Sequence, residues 1–352
     1  MKSLVNLCFI SIVSCGITSL SAAESNSSNQ NIYTTSSQHQ HSKSKFNGCT
    51  DYGIKSRAPK FSAPPSQGFR HHSSSLLSKW FTPYHMVHDE LVNPGEAVRI
   101  TGKFDYDWFL HKDLEDEYIH AYIFGTGMTK WKYLGQYKTN RDGKVTVKVP
   151  GQTVGDYIIR MVVDGDHSMA DGYISVRSPG RQAVLFDIDG TLTLNDAEQI
   201  GDYLGLSTAT PFYYAKETIQ AYRDKGYQLI FLTARPYWQT KGSRVWLRNT
   251  MQQADWHLRT NIDGEIFTSF KGHAEYKAAY IKKLQQEGIN IVRVYGNAST
   301  DIKAYEMANI PKHETYILGR HAGKKDTQTV GDDYTLHYSS TVVNTPKANC
   351  KP

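Results

Sequence analysis

The rhythm of the chain changes at Ser178-Pro179-Gly180, and this constrains the fold more than any other feature. Beyond that point, buried-type strands alternate with helical periodicity. Ala183 to Phe186, Gln228 to Leu232, Ile291 to Tyr295 and Thr315 to Leu318 read as strands. Between them Phe212, Ala215, Ile219 and Tyr222 recur at helical spacing and stop at Gly226. Trp238 to about Met251, Glu275 to Gln286 and Ile302 to Ala308 read as further helices. Such alternation demands right-handed crossovers, hence an α/β domain with a doubly wound parallel sheet.

Upstream the pattern is short and alternating. Val98 to Phe104, Tyr118 to Phe124 and Lys144 to Val149 place apolar residues at every second position, the last after the turn signal Asn140-Arg141-Asp142-Gly143. Tyr157 to Val163 is more uniformly apolar, and Gly172 to Val176 closes the series. Strands at this spacing predict an antiparallel β-sandwich preceding the α/β domain. The expected organisation is a signal peptide at 1–23, a disordered Ser/Gln/His-rich linker at 24–75, the sandwich at 76–178, the α/β domain at 180–340 and a tail at 341–352.

Lys2, the apolar stretch Leu4 to Ile17 and Leu20-Ser21-Ala22-Ala23 are the parts of a secretory signal, so the chain is expected to be exported, periplasmic or secreted. Ile12-Val13-Ser14-Cys15 resembles a lipoprotein box and leaves a lipid-anchored form open; no later segment is long and apolar enough to span a bilayer. Once a signal is removed, Cys49 and Cys350 remain. A disulfide between them would close a long loop worth up to ~4–5 kcal/mol in the chain-entropy model; two free thiols are the alternative. His39, His41, His71 and His72 read as solvated linker histidines. His85 and His88, with Asp89, read as incidental surface or packing histidines rather than a metal site, because they lie outside any predicted helix. The net charge of +6 favours anionic partners without choosing among them.

In open α/β sheets, ligands bind beyond the carboxyl ends of the strands. There the sequence places Asp187-Ile188-Asp189-Gly190-Thr191, Thr233-Ala234-Arg235, and Gly296-Asn297 followed by Asp301, with Lys277 on a helix. Two carboxylates one residue apart can diverge in role, one attacking phosphorus and the other protonating the leaving oxygen. A phosphate dianion beside them needs compensating charge, which Mg²⁺ on oxygen ligands, an ammonium and backbone N–H groups supply.

With Asp187, Asp189 and Thr191 as DxDxT, the chain resembles the haloacid-dehalogenase superfamily, whose domain is Rossmann-like. Asp187 through Thr193 with Asp196, and Gly296, Asn297 and Asp301 as GNxxxD, resemble the lipin-type phosphatidate phosphatase domain. Roughly residues 85 to 340 resemble the C-terminal half of the membrane-associated phosphatidylinositol transfer proteins (the Nir/RdgB group). Arg160-Met161-Val162-Val163, Gly165-Asp166-His167, Tyr295-Gly296, Ala304-Tyr305, Thr315-Tyr316-Ile317 and Gly319-Arg320 carry that likeness. The animal members have generally lost acidic residues of the first motif and are thought to bind phosphatidic acid; this chain keeps both aspartates. The resemblance implies Asp187 as nucleophile, Asp189 as general acid/base, and Thr191, Thr233 and Lys277 as phosphate-binding. It also implies Mg²⁺ on the Asp187 carboxylate, the Asp189 carbonyl and Asn297 or Asp301. Lys271 is the rival of Lys277, which is preferred because Glu275-Tyr276-Lys277 begins a helix, as in the relatives.

The gaps after the first two strands are too short for a large cap domain, which suits a bulky or surface-bound substrate. Lys241, Arg244 and Arg248 share one helix face with Trp238 close by, either a candidate surface for anionic headgroups or a solvated helix face beside a sheet-packing Trp246. The expected function is Mg²⁺-dependent hydrolysis of phosphatidic acid at an anionic phospholipid surface. Two alternatives are a non-catalytic phospholipid-binding module and an exported phosphatase for soluble or polynucleotide monoesters. Nucleic acid ranks low, since no RRM, KH or zinc module is recognisable.

Overall fold

Alternating side chains build the first layer. The computed structural model describes residues 49–107, 111–194, 209–252, 257–262 and 272–350. One sheet joins Met86–Val87, Val98–Lys103 and Lys144–Val149; the facing sheet runs Glu90–Val92, Met169–Val176, Gly155–Val163, Tyr118–Gly125, Lys132–Lys138. Ile100, Val145, Val147 and Val149 from the first meet Ile119, Ala121, Ile123, Ile159, Met161 and Val163 from the second. Each Val, Ile or Met among them is worth about 1.5–3 kcal/mol when fully buried. All pairings within both sheets are antiparallel except one: Glu90–Val92 runs parallel to Met169–Val176.

Gly155–Val163 is apolar on both faces for a reason the linker reading missed. Its outer face, with Ile158, Tyr173 and Phe124, is covered by Ile54, Tyr52 and Ala58. Residues 49–75 are therefore not a disordered linker. Asp51 and Gln67 donate backbone N–H groups to Asp156 and Asp164, Arg70 and His71 donate theirs to Glu117, and a helix begins at His72. The expected signal peptide, His39 and His41, Asp196 and Lys271 lie outside the described residues.

The second layer is a six-stranded sheet of β1 (Gln182–Phe186), β2 (Gln228–Pro236), β3 (Leu258–Asn261), β4 (Asn290–Gly296), β5 (Thr315–Leu318) and β6 (Gln328–Gly331), all parallel, in the order 3-2-1-4-5-6. Helices α1 (Ala215–Asp224) and α2 (Thr240–Asn249) pack against Val184, Phe186, Leu229 and Phe231. On the other face α3 (His273–Gln286) and α4 (Ser299–Met307) pack against Ala183, Leu185, Ile230 and Leu232. The sheet is thus doubly wound, with its switch point between β1 and β4. Among the described residues, no helix is long and apolar enough to cross a membrane.

Buried charges join the two layers. Asp89 of the sandwich accepts from Arg244 Nη2 at 2.7 Å and Nη1 at 3.0 Å, from the Leu258 N–H at 2.8 Å and from the Tyr173 N–H at 2.9 Å. Arg177, fully buried, pairs with Asp156 and reaches Gln228 on β2. A Cys49–Cys350 disulfide ties residue 49 to the end of the α/β domain.

Candidate active site

The turn after β1 lies at the carboxyl edge of the sheet, beside the switch point. Gly190 adopts φ 66°, a left-handed conformation that costs glycine little and turns the chain sharply between Asp189 and Thr191. Two groups of side chains converge here.

The first surrounds Asp187, which is 4% exposed. Its Oδ1 accepts from Lys277 Nζ at 2.7 Å and its Oδ2 from Thr191 Oγ at 2.9 Å. Lys277, on α3, also donates to Asp301 Oδ1 at 2.6 Å. Asp301 Oδ2 accepts from the N–H groups of Asn297 and Ala298 at 3.1 and 3.0 Å, fixing the start of α4. That approach requires Gly296, where a Cβ would lie 2.6 Å from the Asp301 Cβ. Thr191 Oγ is also 3.2 Å from Asn297 Oδ1. Burial pushes the Asp187 carboxyl up to about 7, against the pull of Lys277 and with the added repulsion of Asp301 and Asp189. Burial pulls the Lys277 pKa down, yet Asp187 and Asp301 together hold it above the ordinary lysine value.

The second group surrounds Asp189. Arg235, at the end of β2, grips it with two prongs, Nη2 to Oδ1 at 2.6 Å and Nε to Oδ2 at 2.8 Å. Thr233 Oγ donates to the same carboxylate at 3.1 Å and accepts the Arg235 N–H at 3.1 Å. Ser243 Oγ on α2 accepts Arg235 Nη1 at 2.8 Å. Sequence reasoning placed Arg235 at the strand end but gave it no role. Its position two residues after Thr233 was the one available signal.

Among the described residues, no group of three or more His, Cys, Asp and Glu side chains converges to hold a metal ion. The carboxylates of Asp189 and Asp301 face Arg235 and Lys277 instead. The oxygen donors brought together beside β1 are the Asp187 carboxylate and the Asn297 amide oxygen, both contacted by Thr191 Oγ, and these are the types that suit a hard cation.

The three candidate headgroup residues divide, with Arg244 buried and Lys241 and Arg248 exposed. Arg244 is buried in its ion pair with Asp89, while Lys241 stays exposed with its Nζ 3.4 Å from the Pro83 carbonyl. Trp238 is likewise buried, stacked on His111 at 4.7 Å. Arg248, at the far end of the helix, is exposed. His85 bonds to Ser168 at 2.8 Å, apart from Asp89.

Comparison with known proteins gives two family matches. The beta-sandwich domain of PITM 1-3 matches residues 83–176, and the LNS2 domain of PITM 1-3 matches residues 184–319. Membrane-associated phosphatidylinositol transfer protein 1 of Rattus norvegicus is 27% identical over 280 residues, 78% of this chain and 22% of that protein. Protein retinal degeneration B of Drosophila melanogaster is 27% identical over 304 residues, 83% of this chain and 23% of that protein. The chain thus spans less than a quarter of the length of these relatives. Among solved structures, a phospho-aspartyl intermediate analogue of phosphoserine phosphatase aligns with 13% identity over 46% of this chain and 98% of that one, at a TM-score of 0.32, too low to carry an inference. Both halves of the chain point to the PITM 1-3 family, the α/β half as its haloacid-dehalogenase-like LNS2 domain.

Proposed function

We propose that the α/β domain is a Mg²⁺-dependent phosphatase acting on phosphatidic acid in an anionic bilayer. The observation that carries this reading is Asp187, buried at the carboxyl edge of β1 with one oxygen on Lys277 and the other on Thr191. A carboxylate so fixed is held in one orientation, as a nucleophile needs to be. Asp187 forms a new bond to phosphorus while the ester P–O bond breaks, and Asp189 delivers a proton to the departing alkoxide. Water then attacks the aspartyl-phosphate, giving its proton to Asp189 and releasing phosphate. Lys277 and Thr233 hold phosphate oxygens. Mg²⁺, on Asp187, the Asp189 carbonyl and Asn297, would supply charge neutralisation at the phosphate. Asn297 is the better inner-sphere donor than Asp301, whose Oδ2 already accepts two backbone N–H groups. The membrane association named in the relatives supports a phospholipid substrate.

A second reading, phospholipid binding without turnover, is favoured by one observation: Asp189 is engaged by Arg235 rather than free beside Asp187. The deciding experiment is phosphate release from phosphatidic-acid vesicles with Mg²⁺ or chelator, beside Asp187→Asn. Mg²⁺-dependent release absent from the variant supports hydrolysis. Vesicle binding by both proteins with no release leaves the binding reading.

A further inference from the structure

We propose that Arg235 and Thr233 form the anion-receiving half of the site, and that the Asp189 carboxylate closes it in the resting protein by occupying the place of the incoming phosphate. This rests on the reading of the site as one for phosphate, and assigns a ligand, Arg235, and a resting state that the reading does not contain.

The geometry points this way in three steps. First, the groups facing Asp189 are those that recognise a phosphoryl group. A guanidinium binds carboxylate and phosphate through the same two-pronged geometry, and a threonine hydroxyl serves either anion. Arg235 meets both Asp189 oxygens, at 2.6 and 2.8 Å, and Thr233 meets one at 3.1 Å.

Second, this donor pair is built to stay. Arg235 is 4% exposed and is held from behind by Ser243 Oγ at 2.8 Å, itself anchored on the Gln239 carbonyl at 2.8 Å. Thr233 is anchored by the Arg235 N–H. The carboxylate is the more accessible partner: the Asp189 side chain is 17% exposed, and the Arg235 side chain 2%. It sits on the turn containing Gly190.

Third, both Asp189 oxygens accept from Arg235, so in this state neither is free to carry the proton a leaving oxygen needs. A phosphate monoester monoanion that takes Arg235 and Thr233 releases the Asp189 carboxylate, which takes up the ester's own proton and then passes it to the leaving oxygen. Ligand binding and release of the acid are then one event, and the empty site is self-occluded.

An internal competitor lowers apparent affinity by the fraction of time it leaves the site open. The test is titration calorimetry of the full chain with inorganic phosphate, on wild type, Asp189→Asn, Arg235→Gln and the double variant. Removing the competing charge in Asp189→Asn should tighten phosphate binding by about tenfold or more if the site is open a tenth of the time or less. Arg235→Gln should weaken it, and Asp189→Asn should bring no comparable gain when added to Arg235→Gln. Circular dichroism on each variant establishes folding, and Arg235→Lys, which keeps the charge without the fork, should fall between wild type and Gln. Unchanged or weaker binding by folded Asp189→Asn overturns the proposal, as does the absence of phosphate binding in every folded variant. The affinity order without vesicle hydrolysis removes the phosphatase reading and leaves this one standing. Hydrolysis without the order does the reverse.

Discussion

A single side chain decides the chemistry, and Asp187 is the first to change. Asp187→Asn keeps the Thr191 contact and the volume but removes the nucleophile. Turnover on phosphatidic-acid vesicles should fall by more than about a hundredfold while vesicle binding persists; activity within about tenfold of wild type would refute the assignment. A second residue-scale prediction concerns His337, which is 3% exposed and 2.8 Å from the Tyr295 hydroxyl. Tyr295 is 2.7 Å from the Tyr222 hydroxyl, which accepts from Arg293 at 2.6 Å. Burial, with Arg293 adding, lowers the His337 pKa to about 4. Between pH 6.5 and 4 the unfolded chain therefore takes up a proton that the folded one refuses. Stability from this group is complete above about pH 6.5 and falls as pH drops towards 4, by at most about 3 kcal/mol. Urea titrations at pH 7 and pH 4.5 should show a smaller difference for His337→Gln than for wild type; equal differences would remove His337 as the cause.

At the scale of elements, α2 shows what a sequence pattern conveys and what it withholds. The spacing of Lys241, Arg244 and Arg248 was legible, but the surface opposite was not, since Asp89 lies 155 residues before Arg244. Replacing Arg244 with Met leaves Asp89 buried without its cation and should cost about 3–5 kcal/mol by urea titration, with no selective loss of vesicle binding. Stable, folded Arg244→Met with vesicle binding selectively lost would restore the headgroup reading. The Arg235–Asp189 pair was hidden for the same reason, its partners being 46 residues apart. The DxDxT turn, by contrast, is local and was readable outright. Two sheet strands escaped because their sequences carry little apolar pattern: Leu258–Asn261 alternates Leu and Thr inward, and Gln328–Gly331 buries Val330 alone. Lys132–Lys138 pairs only with Tyr118–Gly125 at the sheet edge and is largely exposed, so no alternation marked it. In Tyr157 to Val163 the uniform burial was visible, but not that residues 49–58 cover the outer face.

Over the whole molecule, sandwich and α/β domain share too many buried charges to behave as independent parts, and one cooperative unfolding transition is expected. Replacing Cys49 and Cys350 together by Ser should lower stability by about 2–5 kcal/mol, read from urea midpoints with and without the cross-link. A double variant as stable as wild type would mean that the clasp contributes nothing to folding. The bond has another consequence. Because it joins residues 301 apart, nearly all of the folded chain is a covalent ring. A protease that cuts once anywhere on that ring opens it but makes no second molecule. The nicked protein keeps its mass on a non-reducing gel, and the two pieces part only when a reductant reaches the sulfurs.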